Sequence, residues 1–206
     1  MTRLADNQLM ARWPALFLAF AAAVAAAQPP EAANGVLLVA KPGLPDPRFS
    51  ETVVLVTQTP DAQTVGVILN RPLPVKLSQI IPDDSLTKNY REPVFFGGPV
   101  MERTVVALFR SEQTPQAPAF RVLKSVYLSM HPGNVERLLR ESRSGYRIYA
   151  GFSGWAPRQL ESELERDSWY VLPASEELLF RADTAGMWEE LLHRSRGRRT
   201  AIYSAP

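Results

Sequence analysis

Proline constrains this chain more than any other residue type. Eighteen prolines are spread over 206 residues. Each fixes its own φ, removes a backbone donor and biases the preceding residue toward extended structure. The intervals between them are short, apolar and often β-branched, which favours many short strands over long helices. Val36-Leu-Leu-Val-Ala40 is a candidate buried strand. Lys41-Pro-Gly-Leu-Pro-Asp-Pro-Arg48 then places three prolines in eight residues and reads as an ordered loop. Thr52–Thr57 is apolar on both faces, as a central strand is. Thr64–Leu69 follows as its hairpin partner and stops at Asn70-Arg71-Pro72. Leu77–Ile81 is too short to assign, and Pro82–Glu92 reads as a surface loop with room for a helical turn. Val94–Phe96, ended by Gly97-Gly98-Pro99, and Thr104–Phe109 are further strands. Phe120–Leu123 and Val126–Ser129 pair as a hairpin.

Helices gather late in the chain. Asn134 is placed to cap a helix running to about Ser142, with Val135, Leu138 and Leu139 inward. Tyr146–Ala150 alternates and reads as a half-exposed strand. The stretch Gly151–Val171 then reads as glycine turn, helix and strand. Pro157 suits a first helical position, Leu160 and Leu164 share a face, and Trp155 and Trp169 can bury the two ends of the helix. Ser168–Leu172 is the last strand. Ser175 opens a short helix through Phe180, and Thr184 caps a final one carrying Met187, Trp188, Leu191 and Leu192. Mixed strands with helices gathered late predict an α+β fold in one domain over residues 35–195.

The first residues have a different character. Arg3 and Arg12 precede an apolar run from Ala15 to Ala27, which is too short to span a bilayer and suits a signal-peptide core. Ala25-Ala26-Ala27 offers a cleavage pattern before Gln28. Residues 1–27 therefore read as an export signal and 28–34 as a linker, which predicts a periplasmic chain without a transmembrane segment. The formal net charge is +2 and there is no cysteine. That balance gives no general electrostatic reason to bind nucleic acid, and thiolate chemistry is excluded. Residues 196–206 form a basic tail, an extension of the cluster His193-Arg-Ser-Arg-Gly-Arg-Arg199, and read as a solvated end.

Catalytic patterns are sparse. The two histidines, His131 and His193, lack metal-ligand spacing. Gly151-Phe-Ser-Gly-Trp155 departs from the G-x-S-x-G nucleophile elbow. Asp83-Asp84 and Glu161/Glu165 read as solvated carboxylates, and Gly97-Gly98-Pro99 lacks the context of a phosphate loop. No metal or cofactor is expected.

Five stretches in order resemble the YqgE/AlgH family of bacterial proteins. They are Ala40–Phe49, Gly66–Pro72, Phe96–Val100, Tyr127–Ser129, and Gly151–Leu160 with Trp169. The resemblance implies a largely antiparallel bifurcated sheet or pseudo-barrel with helices outside. It brings the label of transcriptional regulator but no reaction, and relatives are usually read as cytoplasmic. The chain departs from the pattern in three places. Histidines common after two of the strands are replaced here by the Thr57-Gln58-Thr59 region and Arg110, and a glycine common before the Gln-Leu pair is Arg158.

One constellation remains as a candidate site. Asp46, Asn70, Arg71, Gly97 and Gly98, near Trp155 and Gln159, can form a small polar recess. The alternative is structural: Asn70 bonds backbone and Arg71 pairs with a carboxylate such as Asp46. The sequence therefore predicts a non-enzymatic regulatory protein that binds a small molecule or protein partner. Two other readings stay open, an enzyme using the Asn70/Arg71 recess and a DNA-binding regulator.

Overall fold

A computed structural model describes residues 34–82, 85–141 and 145–203, in backbone alone for residues 89 and 197–203. The expected leader, most of the linker, Asp83-Asp84 and Ser142 lie outside the described residues. The fold is α+β, with nine strands in a largely antiparallel sheet and helices packed around it. The strands are β1 (Val36–Ala40), β2 (Val53–Gln58), β3 (Thr64–Ile68), β4 (Val94–Phe96), β5 (Val100–Arg110), β6 (Phe120–Leu123), β7 (Val126–Ser129), β8 (Tyr146–Trp155) and β9 (Trp169–Pro173). Helices α1 (Leu77–Ile80), α2 (Pro132–Glu141), α3 (Gln159–Glu165), α4 (Glu176–Leu179) and α5 (Met187–Tyr203) accompany them, with a 3-10 turn at Ser85–Asn89.

The sheet runs β6-β7-β5-β8-β3-β2-β1-β9, with β4 beside β8. Strand β8 is where it forks. Ile148, Tyr149 and Ala150 lie between antiparallel β5 and parallel β4. Ser153, Gly154 and Trp155 instead pair with β3. The two expected hairpins, β2–β3 and β6–β7, form as ladders. Gly35 N–H donates to the Val122 carbonyl at 2.9 Å, so β6 curls back toward the start of β1. No ladder joins these two strands among the described residues, and the sheet stays open.

Three glycines make the fork possible. The Gly97 N–H donates to Ala150 O at 2.9 Å, and Ile68 N–H donates to Gly97 O at 3.0 Å. A Cβ on Gly97 would meet Gly151 O at 2.2 Å, and one on Gly151 would meet Gly98 O at 2.5 Å. Gly98 and Gly151 also have φ of +149° and +68°, a region side chains resist. Buried Ser153 donates its hydroxyl to Gly97 O at 3.0 Å and fixes the crossing.

The core fills both sides of the curl. Leu37, Val39, Val53, Leu55, Val67 and Leu69 from one arm meet Val106, Leu108, Val122, Val126 and Leu128 from the other, with Tyr149 between them. Helix α2 covers the outer face of β5 with Val135, Leu138 and Leu139, beside Phe109 and Tyr127.

Several local expectations are corrected. Gly151–Trp155 is strand rather than turn, and β8 is buried on both faces because the core between the arms packs on Tyr149 and the α2 layer packs on Ile148 and Ala150. Helix α3 begins at Gln159, after Pro157, with Arg158 held at φ +67°. Helix α2 begins before Asn134. His131 Nδ1 accepts from Gly133 N–H at 3.1 Å, while Asn134 reaches back to Ser129 Oγ and the 117–118 carbonyls. Ahead of α5, Asp183 Oδ1 accepts from Ala185 N–H at 2.9 Å, and Thr184 meets the helix start through its carbonyl, which accepts from Met187 N–H at 3.2 Å. The α5 backbone continues helical through Tyr203, so His193 is mid-helix and residues 196–203 of the expected basic tail extend it, while 204–206 lie outside the described residues.

Candidate functional site

Of the residues of the predicted recess, Asn70 and Arg71 bond the loop 44–51 that holds Asp46, and Trp155 packs on its Phe49, whereas Gly97 and Gly98 lie against β8 and Gln159 bonds within the α3 region. Asn70 Oδ1 accepts from Val53 N–H and its Nδ2 donates to Glu51 O, both at 2.9 Å. Arg71 donates to Arg48 O at 2.6 Å and to Ser50 O at 3.0 Å. The expected Arg71–Asp46 pair does not form. Asp46 is claimed by the nearer Arg48, whose Nε and Nη2 donate at 3.0 and 2.7 Å and whose backbone N–H donates at 2.9 Å. The Arg48 hydrogen bonds hold the Asp46 carboxyl below the usual carboxylate range. Phe96 N–H donates to Arg71 O at 2.8 Å, which sets Arg71 next to the Gly97-Gly98 crossing.

The other side of the loop is aromatic. Phe49 lies 5.9 Å from both Trp155 and Trp169. Both indole N–H groups donate to one oxygen of Glu163, at 3.0 and 2.9 Å. Gln159 Nε2 donates to the other oxygen at 3.0 Å, and its Oε1 accepts from Ala156 N–H. Glu163 is the residue that sequence reasoning missed. Its signal is its position: it lies one helical turn after Gln159, between Leu160 and Leu164. The set as a whole clasps a loop, and its polar groups are engaged with backbone or with one another. A carboxylate held below its usual range is also a poor proton acceptor at neutral pH.

A separate cleft of about 530 Å³ lies on the other arm. Arg110 and Arg137 line it together with the carboxylates Glu112 and Glu141 and with Leu138 and Tyr146. Its two guanidiniums lie over aromatic rings, Arg110 at 3.7 Å from the Phe180 centroid and Arg137 at 5.5 Å from that of Phe109. Arg110 also donates to Glu176 at 3.0 Å, and Ser125 Oγ donates to the second Glu176 oxygen at 2.6 Å. The Ser125 hydroxyl, then Arg110, lower the Glu176 pKa. Arg137 Nη1 also donates to both Glu141 oxygens at 3.3 Å, so each guanidinium of the cleft already has a carboxylate partner and keeps further N–H groups half-exposed. Among the described residues no group of three or more His, Asp or Glu is placed to hold a metal ion. No helix of the described residues is long and apolar enough to cross a membrane.

A family model described as AlgH-like matches residues 37–199. A UPF0301 protein of Thermobifida fusca is 33% identical over 182 residues, covering 84% of this chain and 92% of its own. A UPF0301 protein of Mycobacterium tuberculosis is 32% identical over 163 residues, covering 78% and 81%. The solution structure of the AlgH protein from Pseudomonas aeruginosa superposes with a TM-score of 0.63 at 22% identity, covering 87% of this chain and 97% of that one. A crystal structure of protein DIP2367 from Corynebacterium diphtheriae gives 0.63 at 24%, covering 82% and 90%. These two structures share the fold.

Proposed function

We propose, from the premise that this chain belongs to the AlgH-like family, that it is a non-enzymatic regulatory protein acting through a bound partner. The observation that carries this reading is the contrast between two regions. The polar residues around Asn70 and Arg71 are committed to the 44–51 loop. The Arg110/Arg137 cleft instead opens at the surface: its guanidiniums are paired with Glu176 and Glu141 but half-exposed, with N–H groups left over for a partner. The proposed partner offers an acidic group to that cleft.

Titration of the full chain with mono- and dicarboxylates and short acidic peptides, followed by NMR, tests it. Saturable shifts at Tyr146, with an affinity that Arg110→Ala and Arg137→Ala each weaken about tenfold, are the expected result. Turnover of a substrate that Asn70→Ala or Arg71→Ala abolishes would replace this reading with an enzyme. DNA binding with a steep salt dependence would replace it with a transcriptional regulator in direct contact with DNA. The proposal includes export to the periplasm on residues 1–27. N-terminal sequencing of the native protein after fractionation should find a chain beginning near Gln28; a cytoplasmic chain retaining Met1 overturns that part.

A further inference from the structure

Of the asparagines in the chain, only Asn34 is followed by glycine. The pair directly precedes β1, at the place where β6 curls back to meet that strand. The fold requires the glycine: a Cβ on Gly35 would meet Val122 Cγ1 at 2.3 Å and Val122 O at 2.7 Å. The Gly35 N–H donates to Val122 O at 2.9 Å, which ties it to β6. Asn34 Oδ1 accepts from the hydroxyl of buried Thr57, which ties the side chain to β2.

Asparagine before glycine is the pair in which a side-chain amide is lost most readily, because no Cβ hinders the following nitrogen. The Gly35 nitrogen, on giving its proton to hydroxide, attacks Asn34 Cγ. The new C–N bond closes a succinimide. The Cγ–Nδ2 bond breaks, and ammonia leaves, taking a proton from water. Water then adds to either ring carbonyl and leaves aspartate or isoaspartate at position 34. Two folded contacts oppose the first step. The proton that must leave Gly35 is the one that Val122 O holds, and the carbon under attack belongs to a side chain held on another strand.

We propose that Asn34 is a self-modification site gated by the contact between β1 and β6: its amide is lost through the succinimide only when Gly35 releases Val122. The fold cannot escape this chemistry by changing residue 35, since the approach of β6 admits no side chain there. Loss of ammonia makes the change one-way. Isoaspartate also lengthens the backbone by a methylene, which shifts Gly35 against Val122. Residue 34 thus turns a transient local opening into a lasting change at the junction of the two arms.

Peptide mapping of the full chain aged at mildly alkaline pH, folded and in urea, tests the proposal, with hydrogen exchange of the Gly35 amide measured in the folded chain. Conversion at Asn34 should proceed in urea and be slower in the folded chain. The slow-down should be at least the factor by which folding protects the Gly35 amide from exchange, since one local opening governs both. Thr57→Val removes the hold on the Asn34 side chain and should speed the folded reaction about fivefold, with the rate in urea unchanged. Equal rates in the two states, a slow-down smaller than the Gly35 protection, or no conversion in urea overturns the proposal. So does a folded Thr57→Val chain that converts no faster than wild type. Should Thr57→Val fail to fold, the comparison of ageing with exchange in the wild type decides.

Discussion

Arg158 is one of five described non-glycine residues held at positive φ, with Glu51, Ala62, Met101 and Asp167. It sits exposed at φ +67° immediately before α3, with no capping hydrogen bond from its side chain. Left-handed backbone costs an L-residue about 1–2 kcal/mol, part of which glycine returns through the freedom it loses on folding. Arg158→Gly should therefore raise stability by about 0.5–1 kcal/mol in urea denaturation with an unchanged m-value. A loss of stability would mean that the arginine side chain makes a compensating contact. The position is legible in the sequence through the resemblance to a family that has glycine there. The reasons for other residues are not legible in the same way. Gly97 and Gly98 are separated from Gly151 by more than fifty residues, and only the crossing of β4 over β8 shows why none can carry a Cβ. Asp46, Asn70 and Arg71 lie around one loop, but the pairing expected among them does not form, because Arg48 is two residues from Asp46 and competes successfully for it.

At the scale of elements, α3 is held to the sheet by a single carboxylate. Glu163 accepts from both Trp155 and Trp169, which otherwise bury their indole N–H groups. Hydrogen bonds to a charged group contribute about 1.5–3 kcal/mol each, less where shared. Glu163→Ala should cost about 2–4 kcal/mol and change the indole N–H shifts of both tryptophans together. A cost below about 1 kcal/mol would mean that Phe49, Leu160 and Leu164 hold the helix by packing. Helix α4 is tied differently, through Glu176 to Ser125 and Arg110. Its folded pKa is lowered by those partners. The ionised group therefore favours the fold at neutral pH, and that contribution is lost as pH falls below the ordinary glutamate value of about 4.3. Glu176→Gln should flatten stability against pH in that acid range and leave its shape unchanged near pH 7; an identical acid slope in both proteins would show that the pair is screened. Strands and hairpins are legible because their β-branched runs are bounded by proline and glycine. Strand β8 reads shorter in sequence than it is because its glycines resemble a turn locally, whereas partners on both sides keep the chain extended. The start of α2 is displaced from its expected place because histidine is an uncommon cap.

The whole molecule depends on one strand serving two sheets. Tyr146–Ala150 belongs to the arm of β4, β5, β6 and β7, and Ser153–Trp155 to the arm of β1, β2, β3 and β9. The core is likewise shared, with Leu37 and Leu55 from one arm in the same cluster as Leu108 and Leu128 from the other. Neither arm can lose its ladder without uncovering apolar surface of its neighbour, at about 25 cal/mol per Å² exposed. A single cooperative transition follows. The aromatic residues provide separate reporters: Trp155, Trp169 and Trp188 lie with the first arm, where Trp188 donates to Ala40 O at 2.8 Å. Tyr127 and Leu128 lie in β7 of the second. In a urea titration followed by NMR, the three indole signals and the β7 amides should lose native intensity at one midpoint with one m-value. If the indole signals disappear first, the arms fold as separate units and β8 is a linker between them. If all disappear together, the two arms unfold as one cooperative unit, as the shared strand β8 and the shared core between the arms require.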